Sequence, residues 1–204
     1  MKKIIISLLF YVLGGIGVSL SILPAIGMGP FDSMVVSLSE ITDIKVGTVN
    51  FAINILFLIT FFLISKGKYK SKYILMFISI ITFGWIINIF TYKIFKDLVF
   101  NTYILRVTFY VIGQLITAIS VGVVIFLNVI PFSIESNCIE ISEITKKPFA
   151  PIRYGFDILC LIISVLISVI GKTPLNVREG TIISLVIFSG VLSFVLNYLN
   201  KHFK

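Results

Sequence analysis

The sequence predicts an all-α membrane protein of about six transmembrane helices. They form two inverted three-helix repeats, each with a short extra amphipathic helix after its first span. Three observations predict this fold. The 204 residues are 58% hydrophobic and 13% charged, with a mean hydropathy of +1.11, which is far more apolar than a soluble domain. Six apolar stretches are long enough to cross a bilayer. The second half of the chain also repeats the first.

The six apolar stretches each have about the 20 residues that a span needs. Their expected limits are Ile4 to Ile26, Val46 to Ser65, Tyr73 to Phe95, Tyr103 to Ile130, Phe149 to Ile170 and Thr181 to Asn200. The loops between them leave no room for a soluble domain. We therefore expect one transmembrane domain over residues 1–204, with repeat one at 1–100 and repeat two at 101–204. The basic start resembles a secretory signal, but no small-residue cleavage site follows it, so we expect it to form the first helix.

The internal duplication is visible in the residues that follow the first span of each half. Pro30-Phe31 returns as Pro131-Phe132, 101 positions later, and Leu38 to Thr42 returns as Ile141 to Thr145, 103 positions later. One two-residue insertion reconciles the two spacings. Because three spans per half is an odd number, the second copy enters the bilayer from the opposite side. Such inverted repeats recur in secondary transporters, which bind substrate near the membrane midplane.

The net charge of +8 reflects membrane topology better than nucleic-acid binding, because the basic residues lie in short loops between spans. With a cytoplasmic amino terminus, eleven basic residues lie inside: Lys2, Lys3, Lys66, Lys68, Lys70, Lys72, Lys146, Lys147, Arg153, Lys201 and Lys204. Six lie outside: Lys45, Lys93, Lys96, Arg106, Lys172 and Arg178. This bias predicts a multi-pass membrane protein with both termini in the cytoplasm.

A short helix is predicted after the first span of each half. Prolines and glycines between Leu23 and Pro30 interrupt the first span, and Pro30 suits a first helical position. Asp32 then lies in the first turn, where it complements the helix dipole. The counterpart from Pro131 to Thr145 is more polar. Two interpretations stay open: both helices dip into the bilayer from opposite sides, lining a buried or watery cavity, or both lie flat at the two interfaces.

Asp157 is the only acidic residue well within a predicted span. A carboxylate in the membrane is a functional candidate because its ionised form is costly in hydrocarbon. Arg153 precedes it by one helical turn, so a purely local ion pair is the competing interpretation. The equivalent positions of the first repeat hold Asn50 and Asn54. Polar residues at corresponding depths in both copies favour a shared cavity.

The other polar and small residues within the spans predict packing. Amide side chains in spans commonly form hydrogen bonds between helices, and we expect this of Asn88, Gln114 and Asn128. Small residues on the opening helix of each half predict close helix contact: Gly14, Gly15 and Gly17 in one, Gly113, Ala118 and Gly122 in the other. Cys138 and Cys160 are expected to be packing residues. We expect no catalytic residues, cofactor or metal.

Several short motifs resemble those of the bacterial YczE/YitT-type membrane proteins. They are the turn Gly27-x-Gly29-Pro30-Phe31-Asp32, the helix ending in Leu38-Ser39, Gly47, and Gly180-Thr181 followed by Gly190. Members of that group show a Gly-x-x-Pro-Trp-Asp-like turn after the first span, where this chain has Phe31. The Gly-Thr pair of the last span is missing from the third. The resemblance extends over nearly the whole chain and implies a membrane protein of unknown role, some relatives being associated with antibiotic production.

The function predicted from these features is secondary transport of a small molecule by alternating access between the repeats. The residues expected to line the substrate cavity are Asp32, Asn54, Glu135, Glu140 and Asp157. Two alternatives stay open: a substrate-capturing membrane subunit of an ATP-driven transporter, and a regulatory membrane protein that transports nothing. The expected partners are the lipid bilayer and an unknown small molecule, with no nucleic acid and with homo-oligomerisation open. We do not expect an enzyme.

Overall fold

The computed structural model describes residues 2–203, so Met1 and Lys204 lie outside it. Lys204, one of the basic residues counted on the inside, is thus outside the described residues. The described chain contains eight α-helices and no strand, which confirms the predicted all-α class. The helices are α1 (Lys2–Ile22), α2 (Pro30–Thr42), α3 (Val46–Ile64), α4 (Lys70–Ile89), α5 (Tyr103–Leu127), α6 (Ser133–Thr145), α7 (Phe149–Gly171) and α8 (Glu179–Phe203). A π-helical turn, Phe90–Ile94, extends α4.

Six of these helices, all except α2 and α6, are long and apolar enough to cross a membrane. The chain is therefore a multi-pass membrane protein. Helix ends differ from the predicted limits by a few residues, and local backbone geometry explains the largest differences. α1 ends at Ile22 because Pro24 cannot continue it and Ala25 has a left-handed φ of 52°. α5 ends at Leu127 because Asn128 adopts a left-handed φ of 49°.

The two short helices share their local structure. α2 and α6 both have 13 residues and begin 103 positions apart. Each ends on a left-handed residue, Asp43 or Lys146. The Ser39 hydroxyl donates a hydrogen bond to the carbonyl of the residue five positions on, and the Ser142 hydroxyl does the same. The duplication in the sequence thus extends to backbone conformation and side-chain hydrogen bonds, whereas the inverted orientation of the halves stays a prediction.

The short helices pack mainly against the opposite half of the chain, α2 on α7 and α6 on α3. The N-terminal part of each is buried in the bundle, whereas the C-terminal ends are exposed. A helix lying flat at an interface would expose one face along its whole length. The observed burial therefore favours helices that enter the bundle end-on.

Asn176, in the loop between α7 and α8, ties that loop to α2. Its side-chain amide donates hydrogen bonds to Ser37 Oγ at 3.1 Å and Glu40 Oε2 at 2.9 Å. Its backbone carbonyl accepts from the Met28 N–H at 3.1 Å and the Ser33 hydroxyl at 3.2 Å. Ser37 also shares a hydrogen bond with a buried serine of α7, Ser164 Oγ, at 2.9 Å. Buried polar groups of α2 are therefore satisfied by residues of the other half.

The opening helices of the two halves, α1 and α5, cross in close contact at Gly17 and Gly113. A methyl group added at Gly113 would lie 2.7 Å from the carbonyl oxygen of Gly17. Beside this crossing, Gln114 Nε2 donates to Ser21 Oγ at 3.2 Å and Gln114 Oε1 accepts from the Ser184 hydroxyl at 3.0 Å. The side chain of Gln114 thus joins α1, α5 and α8, as predicted for an amide within a span.

The two halves differ in how their last two spans pack. α3 and α4 are in close contact, where a methyl group on Gly47 would lie 2.1 Å from the carbonyl oxygen of Gly84. Asn88 reinforces this contact, because its Oδ1 accepts from the Gly47 N–H at 2.9 Å and its amide donates to Thr48 Oγ1 at 3.0 Å. Across the described residues, α7 and α8 form no comparable contact. The last two spans of the second half are therefore not closely packed against each other.

We expect Gly113→Ala to destabilise the protein by about 1–3 kcal/mol, because overpacking a close helix crossing forces the backbones apart. Gly190→Ala is the matched control, since a methyl group at Gly190 meets no atom within 4 Å. The measurement is the midpoint of thermal unfolding of both variants in detergent, followed by size-exclusion chromatography of heated samples. Equal midpoints would contradict the assignment of Gly113 to a close-packed crossing.

Candidate functional site

A cavity of about 100 Å³ lies at the centre of the bundle, and all eight helices contribute to its wall. Its apolar wall contains four phenylalanines: Phe31, Phe83, Phe132 and Phe188. Its main polar residues are Asp32, Asn50, Asn54, Gln114, Glu135, Arg153, Asp157 and Ser184. A pocket with apolar walls and a few polar groups is the usual form of a small-molecule site.

Asp32 and Glu135 occupy equivalent positions in the first turns of α2 and α6, 103 positions apart, and both line the cavity. A helix N-terminus carries about half a positive charge, which favours a carboxylate in the first turn. Both residues lie outside the six spans. Burial raises the pKa of Asp32 to about 7, and the Arg153 charge opposes this rise. Burial likewise raises the pKa of Glu135, again opposed by Arg153.

Arg153 of α7 forms an ionic cluster with two carboxylates. It donates a hydrogen bond from Nη1 to Asp157 Oδ1, one turn along the same helix. Its Nε lies 3.6 Å from Glu135 Oε1 on α6. Asp157 fits both interpretations of its role, because it forms a local ion pair with Arg153 and also lines the cavity. Arg153 was expected among the charges of the inside loops, but it lies within α7 at the cavity, which is a correction to that count. The orientation of the termini stays a prediction.

Glu135 is the most deeply buried member of this cluster, with 5% of its surface exposed. Its Oε2 atom has no hydrogen-bond partner among the described residues. A buried polar atom without a partner costs about 1–3 kcal/mol, so such atoms are rare in folded proteins. This oxygen therefore marks a position where a ligand, a water molecule or a proton would be stabilised.

The equivalent positions of the first half, Asn50 and Asn54 on α3, form a neutral counterpart of the ion pair. Asn54 Nδ2 donates to Asn50 Oδ1 at 2.9 Å, one turn along the helix. The structure places both asparagines, with Arg153 and Asp157, on the wall of the same cavity. The cavity is thus charged on the α7 side and neutral but polar on the α3 side.

An aromatic cluster forms the side of the cavity next to α1 and α4. The ring of Tyr11, 2% exposed, stacks on Phe132 with centroids 4.3 Å apart. Phe83 packs edge-on against Phe132 at 5.6 Å. Because aromatic rings are rigid and bulky, this wall is well defined in shape. Among the described residues, no group of three His, Cys, Asp or Glu side chains is arranged to hold a metal ion.

The structure brings four of the five predicted site residues together: Asp32, Asn54, Glu135 and Asp157 line the cavity. Glu140, the fifth, is half-buried and lies outside it. Its position explains this, because only the N-terminal part of α6 reaches the cavity. Sequence reasoning did not identify Phe188, Ser184 or Gln114 as cavity residues. A polar amide within a span was a signal for Gln114, but nothing distinguished the other two from ordinary residues of a span.

Comparison with known proteins identifies a family. A family model described as "Family of unknown function (DUF6198)" matches residues 1–197. Neither a curated protein nor a solved structure gives a significant match. Because the match extends over nearly the whole chain, the protein belongs to the family of unknown function DUF6198.

Proposed function

We propose that the chain is a secondary carrier that moves a small molecule across a bacterial plasma membrane by alternating access between two inverted repeats. Both termini would lie in the cytoplasm. We also propose that the chain is related to the YczE/YitT-type membrane proteins, whose short motifs it resembles. The observation that carries it is the central cavity, which is lined by equivalent residues of both halves and contains a buried ionic cluster. Carriers of this type bind substrate where their repeats meet.

Burying the charged groups of the ionic cluster brings little or no gain in stability, which supports a functional role for them. Replacing a buried ion pair by apolar residues of similar size is often neutral or stabilising. Charged side chains within a membrane protein are therefore functional candidates by default. Here Glu135, Arg153 and Asp157 connect α6 to α7 around an open cavity instead of filling it. A scaffold without transport would gain more stability from apolar packing at these positions.

The unequal packing of the last two spans supports alternating access. α3 and α4 are closed against each other through Gly47 and Gly84, whereas α7 and α8 are apart. In a carrier built from equivalent halves, the opposite state exchanges these arrangements, so α7 and α8 approach while α3 and α4 separate. The cavity would then open to each side of the membrane in turn.

Asp32 is suited to exchange a proton during this cycle. Burial raises the pKa of Asp32 to about 7, so small changes in its surroundings alter its charge near neutral pH. The charged and titratable groups that surround it are Arg153, Asp157 and Cys160 on α7, Glu135 on α6 and Tyr110 on α5. A bound substrate charge and a proton at Asp32 are thus expected to influence each other.

The first test of the carrier is proton-coupled flux in liposomes containing this chain alone. A low-molecular-weight extract of the host cells is applied outside, and a trapped pH-sensitive dye reports proton movement. We expect wild-type protein to change the internal pH and Asp157→Asn to slow this change at least tenfold, because the cluster loses a charge. Glu140→Gln, outside the cavity, should match wild type. Absence of flux from wild type, or equal flux from Asp157→Asn, would contradict the proposal.

The pH dependence of the same flux tests Asp32. In wild type, Asp32 is neutral below its pKa of about 7 and charged above it. We expect the flux to change most steeply across this range. Asp32→Asn keeps the shape of the side chain but cannot titrate, so its remaining flux should vary little between pH 6 and 8. An unchanged profile in this variant would assign proton exchange to another group.

Access to the cavity is tested by labelling Ser189→Cys with a membrane-impermeant thiol reagent. Ser189 lines the cavity from α8, and the two native cysteines are buried and can be replaced by alanine. In vesicles of either orientation we expect rapid labelling from one side only. Gly190→Cys, the next position, is exposed on the outer face of α8 and should label slowly in lipid. Equal labelling of Ser189→Cys from both sides would indicate a channel.

A further inference from the structure

The charges around the cavity do not balance. Three carboxylates line it, Asp32, Glu135 and Asp157, whereas Arg153 is the only basic residue among the described lining residues. The N-termini of α2 and α6 each contribute about half a positive charge. With all side chains ionised, about one negative charge therefore stays uncompensated in a buried site. Such a charge is costly in a low dielectric, and a single bound positive charge would neutralise it.

Arg153 already has two carboxylate partners. Its Nη1 is bound to Asp157 Oδ1, and its Nε lies 3.6 Å from Glu135 Oε1. An incoming carboxylate or phosphate would bring further negative charge into a cavity where three carboxylates already face one guanidinium. Because like charges repel strongly in a low dielectric, the cluster disfavours an anionic substrate.

Glu135 Oε2 supplies the position for a positive donor. Glu135 lines the cavity, and its Oε2 atom is buried and has no hydrogen-bond partner among the described residues. An ionised carboxylate only accepts hydrogen bonds, so its complement is a donor group. A charged donor such as an ammonium N–H would satisfy this oxygen and neutralise the excess charge with one contact, and charge-assisted hydrogen bonds of this kind are strong.

The remaining walls indicate an organic cation instead of a hydrated inorganic ion. Phe31, Phe83, Phe132 and Phe188 line the cavity. Phenylalanine rings offer no ligand oxygen to a metal ion, but they contact hydrocarbon and attract an organic cation over their faces. The volume of about 100 Å³ is of the order of an engineered apolar cavity of about 150 Å³ that binds benzene. It suits a small molecule.

We propose that the cavity binds a small organic monocation, a protonated amine with an apolar body. Its ammonium group donates to Glu135 Oε2, and its hydrocarbon part contacts the phenylalanine walls. This inference rests on the proposed function, in that it names the class of molecule that the carrier would move. Asp32 contributes to the negative potential, and Arg153 holds Glu135 and Asp157 in position without contacting the substrate.

The test compares three probes of nearly the same shape, benzylamine, benzyl alcohol and benzoate, which at pH 8 are cationic, neutral and anionic. Binding to the purified full chain in lipid nanodiscs is measured by isothermal titration calorimetry. We expect benzylamine to bind at least tenfold more tightly than benzyl alcohol and benzoate to bind more weakly still. Benzoate binding as tightly as benzylamine, or no binding of benzylamine at millimolar concentration, would overturn the inference.

Variants at two glutamates of α6 locate the contact. Glu135→Gln removes the charge and keeps the size, so benzylamine affinity should fall at least tenfold while benzyl alcohol affinity changes less than twofold. Glu140→Gln removes the same charge outside the cavity and should leave both affinities unchanged. If Glu135→Gln fails to fold, as judged by its thermal midpoint, Phe188→Ala serves instead and should weaken both probes. An equal loss in Glu135→Gln and Glu140→Gln would contradict a specific contact.

A transport measurement separates this inference from the proposed function. Liposomes containing the chain are mixed with radiolabelled benzylamine, and the accumulated label is counted with and without a pH gradient. Binding of benzylamine without accumulation would retain the ligand class and overturn the carrier. Flux with the host-cell extract that benzylamine neither drives nor competes with would retain the carrier and overturn the ligand class.

Discussion

The close crossing of α1 and α5 at Gly17 and Gly113 is the constraint on which the rest of the structure depends. Without side chains at these positions, the two backbones come into contact, which is how helices associate where no hydrophobic effect drives them together. The crossing also places Gln114 where it bridges α1 to α8. Because α4 packs on α1 and α8 packs on α5, this crossing sets the position of both outer spans around the cavity.

Each short helix packs against the opposite half of the chain, so both halves form the cavity. α2 packs on α7 and α6 packs on α3, so each half places its first-turn carboxylate, Asp32 or Glu135, against the other half or into the space between them. The ionic cluster of Arg153 lies in the second half, whereas both halves contribute to the apolar and amide walls that enclose it. A chemical difference between the halves therefore coexists with their common architecture.

Composition and the internal duplication were enough to predict the helical class, the six spans and the two short helices, because these depend on local apolar length and on prolines and glycines. The duplication also related Asn54 to Asp157, which share the cavity. Glu140 lies outside the cavity, which spacing could not predict, because spacing along a helix does not show how far that helix enters the bundle. Ser184 and Phe188 were missed because the loop before α8 is longer than its counterpart before α4, so the register between repeats is lost there.

The hydrogen bonds that join α2 to α7 and Asn176 affect the order in which the chain folds. The hydroxyls of Ser33 and Ser37 in α2 are fully buried, and their partners across the bundle lie in α7 and at Asn176, more than 120 residues later in the chain. Contacts between such distant segments slow folding. The Ser33 hydroxyl also donates to the nearby Met28 carbonyl at 3.0 Å, but the partners of the Ser37 hydroxyl among the described residues all lie in α7 or at Asn176. During synthesis from the amino terminus, Ser37 therefore gains these hydrogen bonds only after α7 has been made.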